Sequence, residues 1–263
     1  MIFLNKWLLA LLTSTSLISG VNCVQGTYPR IGSEPALTWN QAEEKAQTLS
    51  RISYPDWIES FKDQGVDKVT IFSYGSLMDY SSARTTVQEK TLRSIKPALA
   101  FGVTRLFDRD VPIRKGSKWK TPCNPLARGM LNVRPASPSQ FINGILMDVP
   151  IDELEQLMQR EEGYDLIPVV VSKWDDQIEG RAHYFIAYTF HAPQNSAYTS
   201  DEILPRPNYY ELSRDAAASI SPAFAHLWMQ TTYLADGRSI ADWERSDSPS
   251  RSTYAQIEKT TSP

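Results

Sequence analysis

The order of segments predicts an α+β fold, a small mixed β-barrel-like sheet with surrounding helices, and three observations point to it. First, β-branched and aromatic runs bounded by Gly and Pro recur at Val69–Tyr74, Leu99–Phe107, Gly144–Val149, Ile167–Val171 and Tyr184–Phe190, which is strand chemistry. Second, one helical period interrupts them, with Ile151, Leu154 and Leu157 on a common face of Ile151–Glu162. Third, the remaining helical segments gather at the end of the chain, which argues against an alternating parallel sheet.

The elements follow in order from the N-terminus. Lys6 precedes the apolar run Trp7–Leu12, which continues through Thr13 and Ser14 to Leu17 and Ile18. That run falls short of the roughly 20 apolar residues of a spanning helix, so residues 1–23 read as a secretory signal peptide cleaved near Gly20–Cys23. An uncleaved membrane anchor or a buried core helix are the alternatives. Export to the periplasm or the exterior, with no stable membrane span after cleavage, is the expectation. Residues 24–66 read as a linker, Val24–Pro35, and an N-terminal helical extension. Ala42, Ala46, Leu49 and Ile52 give Asn40–Ile52 a helical face, and Trp57–Phe61 reads as a second short helix.

Residues 67–246 form the main domain. Within it Asp152 and Glu153 suit the first turn of the Ile151–Glu162 helix and Gly163 its end. Tyr209–Ile220, Ser221–Tyr233 and Ser239–Trp243 read as helices separated by Pro222 and Gly237, and residues 247–263 as a loose polar tail.

Composition narrows the function classes. Of 263 residues 41% are hydrophobic, 11% aromatic and 22% charged, a globular balance with a sizeable core. A formal charge of -3 provides no broad field for nucleic acid or anionic lipid. Arg105, Arg109, Arg114, Lys115, Lys118 and Lys120 cluster near Trp119, but Asp108 and Asp110 interrupt them. Arg109–Pro125 therefore reads as a long solvated loop; the functional alternative is contact with an anionic leaving group. Cys23 and Cys123 make no disulfide scaffold, and His183, His191 and His226 lack metal-ligand spacing, so neither a metal nor a cofactor is expected. Nothing in the sequence indicates the oligomeric state.

Two segments carry chemistry. Tyr74, Gly75, Ser76 and Leu77 end a buried strand in a Gly-containing turn, whose successive N–H groups can form an anion-binding nest. A substrate carboxylate suits it, although an ordinary turn is the plainer reading. Glu161 lies four residues after Leu157 and so shares its inward face, an unexpected place for an acid. Glu162, about 100° further round, is the better candidate for a solvated charge and the fallback as a base. Pairing with Arg160 is the structural alternative for Glu161. Ser76 lacks a nucleophile elbow, because Tyr74 and Met78 stand at the two glycine positions.

Together these segments resemble the gamma-glutamylcyclotransferase-like family, whose members carry a Tyr-Gly-Ser-Leu or similar loop after the first strand and a helix ending in a catalytic Glu. Leu157, Arg160, Glu161, Gly163 and Tyr164, followed by Val169–Val171, match the second motif, and Ala100–Arg105 extends the likeness. It spans roughly Val69–Phe190 and, more faintly, the helices to Trp243. The resemblance implies cyclisation of a small gamma-glutamyl substrate to 5-oxoproline, with Glu161 as general acid and base. It assigns the backbone of Tyr74, Gly75, Ser76 and Leu77 to the gamma-glutamyl head. Such a reaction uses the substrate's own amine, and Glu161, with an ordinary pKa of roughly 4.3, would need burial to work near neutrality. A non-catalytic binding module of the same fold, or a secreted hydrolase or acyltransferase using Ser76, are the alternative functions.

Overall fold

Thr38 and Gln41 form a reciprocal capping box that starts helix α1, Trp39–Thr48. The structure is a computed structural model and describes residues 36–111, 124–178, 183–194 and 196–246. The leader, the Val24–Pro35 linker, both cysteines, Arg114 to Lys120 and the C-terminal tail lie outside the described residues. Helix α1 lays Ala42 against Leu99, Phe101, Val170 and Ile186. Helix α2, Trp57–Asp63, buries Trp57 and Phe61, whose rings lie 5.8 Å from Phe190 and 5.2 Å from Tyr188. The segment ahead of the first strand thus packs into the same core as the strands.

Strand β1, Lys68–Ser73, is followed by a 3-10 turn at Ser76–Met78 and short helices α3, Tyr80–Ala83, and α4, Glu89–Leu92. Then come β2, Lys96–Phe101, β3, Val103–Asp110, β4, Gly129–Pro135, and β5, Phe141–Pro150. Helix α5, Ile151–Arg160, buries Leu154 and Leu157, the face its periodicity predicts. Glu153, expected merely to suit the first turn, is buried and accepts from Gln88 N and Thr91 Oγ1 at 2.8 and 2.9 Å. Strand β6, Asp165–Lys173, helix α6, Trp174–Ile178, and strand β7, Phe185–His191, complete the middle of the chain. Helices α7, Pro207–Ile220, and α8, Pro222–Gln230, then lead to β8, Thr232–Leu234, and helix α9, Ile240–Ser246.

The architecture is the α+β arrangement the sequence predicts. Strands close into a barrel in the order β1-β5-β2-β6-β7, where β1 and β7 run parallel and the other neighbours antiparallel. A second sheet, β4-β3-β8, stands beside it. Five expectations need correction. The helix read over Asn40–Ile52 stops at Thr48, because Leu49 turns extended and Ile52 pairs with Leu166. The run Leu99–Phe107 is two strands, divided at Gly102 with φ +74° so that β2 stays in the barrel while β3 crosses to the second sheet. Arg109 and Asp110 belong to β3 rather than to a solvated loop, and Arg109 is buried. The helix read over Ser221–Tyr233 stops at Gln230, because Thr232–Leu234 pairs in parallel with Arg105–Phe107. Strand β4, which carries Asn132 and Arg134 inside a short run, is absent from the elements the sequence predicts. Among the described residues no helix is long and apolar enough to cross a membrane.

Strand β5 pairs with β1 on one side and β2 on the other, and Gly144 follows directly on the last β1 pair, Ser73 with Ile145. A Cβ there would stand 2.3 Å from Ser73 O and 2.6 Å from the Phe72 ring. Next to it Asn143 anchors the second sheet. The guanidinium of Arg105, wholly buried, donates to Asn143 O and Oδ1, Thr232 Oγ1, Trp228 O and Thr231 Oγ1. Burial pulls the Arg105 pKa down to about 9, since no carboxylate offsets the loss of water. Gly144→Ala should lower stability by at least about 2 kcal/mol, because overpacking against backbone cannot relax by rotamer change. Urea denaturation measures this, and a variant within 0.5 kcal/mol of the parent, roughly the spread of neutral substitutions, would contradict it.

Candidate functional site

At the open end of β1 the chain passes from Tyr74 into the 3-10 turn. Tyr74 is buried and donates its hydroxyl to Phe190 O at 2.7 Å, which ties the turn to the neighbouring strand β7. Met78 N donates to Gly75 O at 2.9 Å, and Asp79 caps α3 by accepting from Ser82 N at 2.7 Å. Leu77 packs in the core. Gly75 is required by close approach, for a Cβ would fall 2.5 Å from the Tyr209 hydroxyl.

Helix α5 delivers the acid. Its last helical residue, Arg160, carries a side chain that is 14% exposed and reaches across to the turn. Nη2 donates to Ser76 Oγ at 2.9 Å and Ser82 Oγ at 2.8 Å, Nη1 to Ser82 O and Thr86 Oγ1, and Nε to Glu161 Oε1 at 3.2 Å. One guanidinium therefore joins the two segments that the sequence singles out. Glu161 is the C-cap and its side chain is 16% exposed, while Glu162 is exposed. The structure thus places Glu161 as its helical phase predicts, and pairs it with Arg160 as the structural alternative requires.

The walls come from elsewhere. Between Leu106 and Arg109 the pairing of β3 with β4 slips, and Leu131 opposite this irregularity turns its backbone to the site. Leu131 O accepts from the Tyr164 hydroxyl at 2.7 Å, and the Leu131 and Ser76 backbone lies close enough to the Tyr209 phenol to favour its ionised form. Burial raises the pKa of Tyr74 and of Tyr164 well above the usual phenol value. It raises Tyr209 to about 12, with the negative charge of Glu161 adding to all three. Burial likewise raises Asp108, partly offset by the Arg134 guanidinium at 2.6 Å. The three phenols are thus neutral hydrogen-bonding groups around Glu161.

Ser76 has no histidine bonded to it among the described residues; its hydroxyl instead accepts from Arg160. His191 is engaged with Val133 O at 2.7 Å, and His183 lies 3.9 Å from Asp176 with 60% of its side chain exposed. Tyr209, Leu131 and the full reach of Arg160 are the surroundings of Glu161 that sequence reasoning misses, while Arg109 reads there only as the start of a basic loop. Only Arg160 gives a signal, through its adjacency to Glu161.

No protein-family model matches the chain, and no curated protein matches it. Solved structures similar to it include one titled "Gamma-glutamyl cyclotransferase", 14% identical with a TM-score of 0.44, covering 62% of this chain and 86% of that one. YkqA from Bacillus subtilis is 22% identical with a TM-score of 0.48, covering 68% of this chain and 60% of that one. A gamma-glutamyl cyclotransferase specific to glutathione from yeast is 15% identical with a TM-score of 0.42, covering 62% and 97%. At these identities and scores the likeness transfers no activity to this chain.

Two outcomes follow from the geometry. Arg160→Ala should cost about 3 kcal/mol, because a mostly buried cation and several of its acceptors lose their partners together. Urea denaturation should show that loss, and amide exchange over residues 76–86 should accelerate. Alkaline stability should also fall. An unfolded phenol ionises near 10, whereas folded Tyr209 holds its proton to about 12. Its contribution is therefore complete below about pH 10 and lost between about 10 and 12, amounting to about 2 to 3 kcal/mol. Absorbance of phenolate against pH, with Tyr209→Phe as the control, measures it.

Proposed function

We propose that the chain cyclises a gamma-glutamyl amide or peptide to 5-oxoproline and releases the amine, with Glu161 as general acid and base. The observation that carries this reading is the Arg160 guanidinium, bonded at once to Ser76 Oγ and Glu161 Oε1. It keeps a Gly-containing turn suited to a carboxylate beside a single partly open acid. In the proposed step the substrate's α-amine forms a C–N bond with its own side-chain carbonyl carbon, and the original amide C–N bond breaks. Glu161 accepts the proton lost by the attacking nitrogen and returns it to the departing one, so no further acid or base is needed. Holding the amine against the carbonyl contributes on the order of 7 to 11 kcal/mol, which makes geometry the larger part of catalysis.

The turn Tyr74–Leu77 fits the gamma-glutamyl head through its backbone. The Tyr209 hydroxyl stands against this turn, 2.5 Å from where a Cβ on Gly75 would lie. The substrate carboxylate would take the N–H groups of the turn, with the phenol closing the inner wall. Ser76 Oγ acts here as an acceptor for Arg160 rather than as a nucleophile. Incubation with a panel of gamma-glutamyl compounds and mass-spectrometric detection of 5-oxoproline tests the assignment. Glu161→Gln should lose about 100-fold or more in rate, the usual weight of a positioned acid or base. Ser76→Ala should lose less than about tenfold, since it removes one neutral acceptor. Product release that survives Glu161→Gln would sink the reading.

A further inference from the structure

Arg109 is a buried cation whose interactions with the described residues include no carboxylate. Its guanidinium lies between two rings, 4.7 Å from the centroid of Tyr164 and 4.5 Å from that of Tyr198. Nη2 donates to Glu162 O at 2.7 Å and Nη1 to Tyr198 O at 3.2 Å, while buried Nε has no acceptor. Neighbouring Asp110 is occupied by Arg128 Nε at 2.8 Å. Gly163, at φ +81°, lets the guanidinium sit directly on the turn after α5, where a Cβ would stand 2.9 Å from Nη2. The guanidinium sits on the turn that follows the helix, and burying it between two rings with no carboxylate partner among the described residues is costly. The fold therefore fixes this charge where Glu161 leaves the helix.

We infer that Arg109 is a positioning residue for Glu161: it locks the turn Glu161–Tyr164 against β3 and supplies the permanent positive charge of that wall. The inference rests on the reading of Glu161 as the acid and base. Glu161 is bonded to Arg160 from its own helix and acts on the phenols of Tyr74, Tyr164 and Tyr209, while Arg109 from β3 holds the next residue's carbonyl, Glu162 O, and Asp108 from β3 acts on the phenols of Tyr74 and Tyr164. The Tyr164 phenol registers these charges: after burial, Arg109 acts on it to favour ionisation, and Glu161 and Asp108 act against it. Removing Arg109 takes the cation off Glu162 O and out of the field of the Tyr164 phenol, while Arg160 stays bonded to Glu161.

The test reads Glu161 itself. In the chain labelled with carbon-13 at glutamate carboxyls, the Glu161 resonance is assigned by its loss in Glu161→Gln and its titration midpoint followed by NMR. Arg109→Met should raise that midpoint by at least about half a pH unit, because an opposite charge favours the ionised form. Arg109→Lys keeps the charge and should leave the midpoint within about 0.2 unit, yet it loses the planar stack and fork. In both variants amide exchange over residues 161–164 should accelerate about tenfold or more, the mark of a loosened turn. A midpoint unmoved in folded Arg109→Met overturns the proposal. If Arg109→Met does not fold, Arg109→Lys decides: faster exchange in the turn supports the proposal and unchanged exchange overturns it. A moved midpoint in a chain that forms no 5-oxoproline would support the hold of Arg109 on Glu161 and reject the proposed activity, so the two fail separately.

Discussion

The barrel depends on the close approach of β5 to the end of β1 at Gly144, beside the turn that follows β1. Ser73 O lies where a side chain on residue 144 would begin, so the two strands can meet at this distance only without one. Because β5 also pairs with β2, it joins β1 to the rest of the barrel. It also sets where β1 ends and therefore where the turn Tyr74–Leu77 stands relative to β7, whose Phe190 O receives the Tyr74 hydroxyl. The site is in this sense a consequence of barrel closure, because the turn lies one residue beyond a strand whose position is set by backbone contact.

Buried arginines then connect the barrel to what surrounds it, and their surroundings differ instructively. Arg105 meets only neutral acceptors, all of its hydrogen bonds running to carbonyls, hydroxyls and an amide from β5, α8 and β8. Arg160 meets neutral oxygens on the turn and one carboxylate, Glu161. Arg109 meets two rings and backbone carbonyls. A guanidinium is weakly hydrated and planar, which makes it the cation best suited to such positions. Each still loses solvation, so each position implies a constraint that an apolar side chain would not provide. Arg105 aligns the two sheets, Arg160 aligns the turn with the acid, and Arg109 fixes the backbone that follows the acid.

Several features are legible in the order of residues because they depend on local periodicity. Leu154 and Leu157 define a helical face, and that face correctly separates Glu161 from the exposed Glu162. The buried strands 69–74, 144–149, 167–171 and 184–190 are visible as β-branched and aromatic runs, each within a residue or a few of its true limits. Expectations fail where tertiary contact overrides local chemistry. Arg109 lies at the start of a basic, Pro-containing stretch and reads as solvated, yet Tyr164 and Tyr198, distant in sequence, bury it. Thr232–Leu234 follows a helix and reads as its continuation, yet a free edge of β3 draws it into a sheet.

The class of fold follows from the order of the segments, and the turn at Tyr74–Leu77 and the inward phase of Glu161 from spacing within single segments, so the chain's own order suffices for them. The enclosure of that acid does not, and belongs to the folded molecule alone. Tyr209 arrives from a helix beyond the barrel, Leu131 turns inward at a slipped register, and Arg109 reaches the turn from β3. None of these placements leaves a local pattern, because each depends on the path of a strand pair or helix packed from a distant part of the chain. The order of residues carries the acid and the turn; the closed barrel brings them within the reach of one guanidinium.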